Sequence, residues 1–280
     1  MAPKLEPLLE GLRFPEAPRW HEGRLWFSDM HDQKVVAVDL EGRAETMVET
    51  PHQCSGLGWL PDGRLLVVSM EDRRLLRLDA SGLCEAADLS GVATFHCNDM
   101  VVDAEGRAYV GNFGFDLHEQ GKPAPADLAL VHPDGRVEVA AEGLRFPNGT
   151  VITPDGRTLV VGESFGGCLT AFDVGEGGRL SNRREWAPLE NAIADGICLD
   201  AEGGIWVASP VGHQVLRVLE GGEVTHRITV ENEAFACMLG GPQRRHLLVC
   251  TAAASDPKES HARTGRIEVA EVEVSGAGLP

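Results

Sequence analysis

Six stretches of this 280-residue chain repeat one pattern in which a single slot changes its residue type: Glu16, Ser55, Asn98, Asn148, Asp195 and Phe235. The intervals between slots are 39, 43, 50, 47 and 40 residues, the length of a four-stranded propeller blade and too uneven for a solenoid of fixed repeat. From most slots the residues two and four positions on are apolar, as in Leu57 and Trp59 or Ile197 and Leu199, with Thr150 a polar exception. Alternation of this kind marks a strand with one buried face. A turn pair follows, Glu22-Gly23, Asp62-Gly63, Glu105-Gly106, Asp155-Gly156 or Glu202-Gly203, because a tight hairpin needs a residue that tolerates positive φ. An apolar second strand comes next, then a third such as residues 34–39, 74–79 or 214–219, and in the first five units an outer strand.

The sixth unit runs out of chain, since ten residues remain after Ala270. Residues 4–9 precede the first slot and belong to no repeat. The pattern therefore predicts that one terminus completes the blade begun by the other, closing a ring and removing an open sheet edge. The expected fold is all-β: one six-bladed β-propeller over residues 1–280, with four-stranded antiparallel blades whose slots meet at the axis. Four slots carry hard oxygen donors, the carboxylates of Glu16 and Asp195 and the amides of Asn98 and Asn148, so their convergence would assemble a central metal site for a divalent cation.

Composition narrows the function. Against 43 acidic residues stand 25 basic ones, a net charge of −18 with no basic run, which argues against nucleic acid. No stretch approaches the roughly 20 apolar residues of a membrane span, and the first residues lack the basic start and apolar core of a signal peptide, so the expected location is cytoplasmic. Nothing in the chain specifies a protein partner. The seven cysteines are odd in number and form no Cys-x-x-Cys pair, so neither a disulfide framework nor a zinc knuckle is indicated. Cys198 and Cys237 fall at or beside core positions. Cys97 adjoins the Asn98 slot, but strand neighbours point to opposite faces, which places His96 badly as a base for it.

Asn-Gly and Asp-Gly pairs are ordinary turn formers, and Asn148-Gly149 or Asp195-Gly196 alone would read as a turn. Turn chemistry does not explain a Glu in the first slot or an Asn before Asp99 in the third. Asp103 and Asp200, five residues after their slots, are expected to bracket hairpins. His31, His52, His118 and His213 fall in predicted loops, where a lone His is usually a solvated surface residue and only some line an entrance.

Four stretches together resemble the family of senescence marker protein (regucalcin), gluconolactonase and luciferin-regenerating enzyme. Pro15-Glu16-Ala17-Pro18-Arg19-Trp20 is similar to its first-blade Glu-Gly-Pro-x-Trp. Asn98-Asp99, with Asp103 and Gly106-Arg107, resembles its Asn-Asp-x-x-x-Asp-x-x-Gly-Arg segment. Asn148-Gly149 followed by Thr153-Pro154-Asp155, with Glu163-Ser164 beyond, resembles its Asn-Gly-x-x-x-Ser-Pro-Asp motif. Asp195-Gly196, with Asp200, Gly203, Trp206 and Ala208, is close to its Pro-Asp-Gly-x-x-x-Asp-x-x-Gly-x-x-Trp-x-Ala.

The resemblance implies a six-bladed propeller whose divalent ion, commonly calcium, is held by Glu16, Asn148 and Asp195, with Asn98 either ligating it or holding substrate. Zinc, manganese, magnesium and iron(II) are alternatives to calcium. Two features depart from the family pattern. His96 stands where the sugar lactonases carry an Arg that contacts substrate, and an imidazole cannot supply the bidentate fork of a guanidinium. The stretch Gly111 to His118 replaces a Gly-Thr-Met segment, and its Phe113 and Phe115 predict a more apolar wall.

The expected activity is a metal-dependent hydrolase opening a small-molecule lactone or related cyclic ester. In that reading Asp195 is ligand and general base, Asn98 orients the ring or stabilises the oxyanion, and His96 contacts substrate. A calcium-dependent phosphotriesterase similar to the diisopropyl fluorophosphatase of squid would use the same residues. A binding propeller without catalysis is the other alternative, and the fold alone does not choose among them.

Overall fold

A computed structural model of the chain describes residues 3–119 and 121–279. It contains six four-stranded antiparallel sheets, each an up-and-down meander in the predicted order. The inner strands of blades 1 to 4 are Pro15–His21, Cys54–Trp59, Cys97–Val102 and Pro147–Ile152. Those of blades 5 and 6 are Ile197–Leu199 and Glu233–Gly240. The predicted hairpin turns follow four of the inner strands with their glycines at φ between 70 and 86°, and Gly23 sits likewise at φ 77° after the first. Asp103 accepts the backbone N–H groups of Glu105 and Arg107 at 2.9 Å, and Asp200 does the same for Glu202 and Gly204 at 3.0 and 2.9 Å, so both carboxylates bracket their hairpins.

Blade 6 is completed by the other end of the chain. Glu6–Leu12 pairs antiparallel with Gly265–Glu271, with Glu6 opposite Val269, Leu9 opposite Ile267 and Leu12 opposite Gly265. A buried cluster crosses this seam, joining Phe27 of blade 1 and Trp206 of blade 5 to Leu239 and Leu248 of blade 6. Each such side chain contributes about 1.5–3 kcal/mol by its removal from water. The last residues then cross the end of the axis remote from the slots: Ala277 donates to the Leu199 carbonyl, and Leu279 exchanges both backbone bonds with Ile152 at 2.9 Å. Among the described residues no helix is long and apolar enough to cross a membrane.

Close approach at the axis explains the small residue after most slots. A Cβ on Gly149 would lie 2.4 Å from the Ile197 nitrogen, and one on Gly196 would lie 2.5 Å from Ala236 Cβ. Neither glycine has positive φ, and Asn148-Gly149 lies inside the strand Pro147–Ile152; glycine is needed at both positions because adjacent inner strands nearly touch.

Candidate metal and substrate site

Because each slot lies within two residues of the start of its inner strand, the six slots gather at one end of the axis. Glu16, Asn98, Asn148, Asp195 and His96 line one cavity of about 370 Å³, together with Phe235. Ser55 does not reach it; fully buried, it donates from Oγ to Asn98 Oδ1 at 3.5 Å. Asn98 Nδ2 is buried with no partner. Asn148 Nδ2 donates to Asp195 Oδ1 at 2.5 Å and to Ser164 Oγ at 3.2 Å, and that hydroxyl donates on to the Ala194 carbonyl at 2.7 Å. Glu16 Oε2 accepts the Ala17 N–H at 2.8 Å. Ala17 holds φ 48°, a conformation that glycine adopts freely, which is the physical reason for the family's Gly at this point.

Two ionisable groups of like sign therefore share a water-poor floor. Burial pushes Asp195 up to about 8, with the Asp99 charge adding and the Asn148 hydrogen bond opposing. Burial, and then the charge of Asp195, holds Glu16 well above the ordinary carboxyl range. The nearby cation is already committed. Arg19 donates from one terminal nitrogen to Asp99 Oδ1 and the Met100 carbonyl, both at 2.5 Å, and from Nε to the Leu57 carbonyl at 3.0 Å. One guanidinium thus ties blade 1 to blades 2 and 3 beneath the site. Arg19 gives no signal in the sequence, because its partner lies 80 residues away.

The thiol of Cys97 is buried and pushed up to about 12 by desolvation, which makes it unreactive. Cys198 and Cys237 pack with their sulfurs 3.9 Å apart. Phe113 stacks on Phe146 with ring centroids 4.5 Å apart, and both line the cavity, whereas Phe115 backs them from behind.

The loop histidines divide. His52 is about half exposed, whereas His31 and His118 line the cavity. His31 departs from the surface expectation: it is 7% exposed, stacks on Phe14 at 4.7 Å, and has a buried Nδ1 without a partner. Its neighbours include Arg13, His118 and Asp256, and burial, reinforced by Arg13, lowers its pKa to about 4. The unfolded chain therefore takes up a proton near pH 6.5 that folded His31 refuses until about 4. Stability should fall as pH drops through that window, by up to about 3 kcal/mol from this group. Urea titrations at pH 7 and pH 4.5 are expected to show a smaller acid loss in His31→Gln than in the native chain; an equal loss would remove His31 from the account.

The position two residues before each slot also faces the cavity: Phe14, Gln53, His96, Phe146, Ile193 and Glu233. Of these only His96 stands out in the sequence, although the same phase marks all six. Among the described residues no group of three or more His, Cys, Asp or Glu is placed to hold a metal ion, and the oxygen donors the sequence offers at this floor are two carboxylates and two amides.

The family model described as "SMP-30/Gluconolactonase/LRE-like region" matches residues 14–253. The chain belongs to this family. It is 26% identical over 286 residues to regucalcin from Xenopus laevis, covering 96% of this chain and 93% of that protein. A calcium-binding protein, regucalcin, from Agrobacterium tumefaciens superposes with TM-score 0.82 at 20% identity, over 100% of this chain and 96% of the other. A gluconolactonase from Xanthomonas campestris superposes with TM-score 0.77 at 23% identity, over 99% and 90%. At these identities the two structural likenesses bear on the fold.

Proposed function

We propose that this member of the family is a divalent-ion-dependent hydrolase that opens a lactone or related cyclic ester. The observation that carries the reading is the pair of buried carboxylates, Glu16 and Asp195, which repel each other on the floor of a cavity whose described lining contains no Lys or Arg. A divalent cation relieves that repulsion. Glu16, Asn98, Asn148 and Asp195 are hard oxygen donors that suit calcium, and the unpartnered Asn98 Nδ2 is a donor left over for a substrate oxygen. The family's calcium-binding and gluconolactonase members support the same choice.

An ion held by Glu16, Asn98, Asn148 and Asp195 would supply Lewis acidity, polarising the ester carbonyl and making water more acidic. The Asp195 carboxylate accepts a proton from the attacking water and returns it to the ring oxygen as the acyl C–O bond breaks. Asn148 Nδ2 fixes the orientation of that carboxylate through Oδ1, and Ser164 fixes Asn148 in turn. Asn98 Nδ2 is free to donate to the developing oxyanion or to the ring oxygen. His96 lies along the wall, where it contacts the substrate.

The test is a hydrolysis screen of aldonolactones, aliphatic lactones and phosphotriesters on metal-stripped protein with calcium restored, for the native chain and Glu16→Gln. Lactone turnover that returns with the ion, and drops by roughly 100-fold in Glu16→Gln, is the expected result. Turnover of phosphotriesters alone, or calcium binding with no turnover, would overturn it in favour of the corresponding alternative.

A further inference from the structure

The cavity is built in tiers that follow the blade repeat. Its floor is the polar part already described. Above it stands the ring two residues before the slots, in which Phe14, Phe146 and Ile193 are apolar. In blades 1 to 5 the residue directly after the second strand adds Met30, Met70, Phe113 and Pro210, with Ser164 the polar exception. On the Asn148 side the wall is continuous: Phe113 lies face to face with Phe146 at an interplanar angle of 24°, and Phe165 meets Phe146 edge-on at 5.3 Å.

What the walls lack matters as much. No described lining residue is Lys or Arg, while Glu71 and Glu233 add acidic character to that of the floor. His96 is stacked on Phe95 with ring centroids 4.2 Å apart. Against the walls, a substituent bearing phosphate or carboxylate would meet Glu71 and Glu233 and no Lys or Arg. Laid against the Phe113, Phe146 and Phe165 face, a polyhydroxylated group would have to strip water from its hydroxyls against rings that return no hydrogen bond, and that desolvation is costly. A neutral ring with an aryl or alkyl substituent faces neither penalty, and its apolar group gains stacking and burial on the aromatic wall.

We infer that the site selects a neutral cyclic ester carrying an apolar, preferably aromatic, substituent, with the ester over the polar floor and the substituent against Phe113, Phe146 and Phe165. The inference rests on the reading of the floor as a cyclic-ester site.

Binding tests it separately from turnover. With calcium present, calorimetry would compare three lactams, which mimic the ester ring without being hydrolysed: a phenyl-substituted δ-lactam, unsubstituted δ-valerolactam and the polyhydroxylated gluconolactam. The phenyl lactam is expected to bind at least about tenfold more tightly than gluconolactam. Phe165→Ala removes a ring that is 44% exposed and so spares the core, and Phe146→Leu conserves bulk while losing the stacking face. Each should weaken the phenyl lactam several-fold and leave δ-valerolactam nearly unchanged. Equal or tighter binding of gluconolactam, or equal losses for both lactams in the variants, would overturn the inference. Turnover of gluconolactone without apolar preference would sink this inference and keep the hydrolase, whereas a phenyl preference with no ester opened would sink the hydrolase and keep the selectivity of the walls.

Discussion

Asp195→Asn is expected to lower kcat/KM for the responsive lactone by roughly 10³-fold while leaving the fold intact, because an amide of the same shape cannot take a proton from water. The variant also has a signature that simple misfolding would not produce. In the ion-free native chain, burial holds Asp195 up to about 8, so above that pH the protein must carry a desolvated charge beside Glu16. A carboxyl raised in the folded state favours folding below its folded pKa and ceases to do so as pH rises through it. Asn carries no such charge, so at pH 9 the ion-free variant should melt no lower than the native chain, and calcium should raise its melting temperature by less. Native-like turnover in the variant would remove Asp195 as base; an undiminished calcium shift would remove it as ligand.

Arg19→Met should be the most damaging single change to stability, costing about 3–5 kcal/mol, because it strands Asp99 as an unpaired buried charge and releases two backbone carbonyls on neighbouring blades. For a chain of this length that corresponds to a fall on the order of 10 °C in Tm. Asp99 is already pushed up by burial with Arg19 opposing, so losing the guanidinium drives its carboxyl further toward the protonated form. Adding Asp99→Asn to Arg19→Met is expected to recover part of the loss. Thermal melts of the single and double variants decide it: a single-variant cost below about 1 kcal/mol would show that the guanidinium does not clamp the blades.

The site separates what one-dimensional pattern can carry from what it cannot. Glu16, Asn98, Asn148 and Asp195 were legible because a repeat fixes phase, and phase around a closed ring converts equivalent positions into neighbours. The same logic reached Asp103 and Asp200, whose bonds run only two to four residues along the chain. His31 was not legible: a short loop histidine looks the same whether it faces water or stacks on Phe14, and the difference lies in how the Met30–Asp32 turn folds back over the cavity. Arg19 was hidden for a related reason, since its value comes from groups supplied by blades 2 and 3. The residues two before each slot fall between these cases, in phase with the slots yet varied enough in type that only the shared cavity reveals them as one ring.

By itself the sequence determined the number of blades, the strand order within each, the turn residues and the level at which polar side chains meet the axis, all of which follow from local periodicity and backbone geometry. Only the tertiary structure decided the register in which Glu6–Leu12 closes blade 6, how Arg19 is spent, and that Phe113, Phe146 and Phe165 form one apolar face over a polar floor, with no Lys or Arg among the described lining residues. Those outcomes depend on the distances and desolvation that arise once remote segments pack together, and a linear pattern does not encode either.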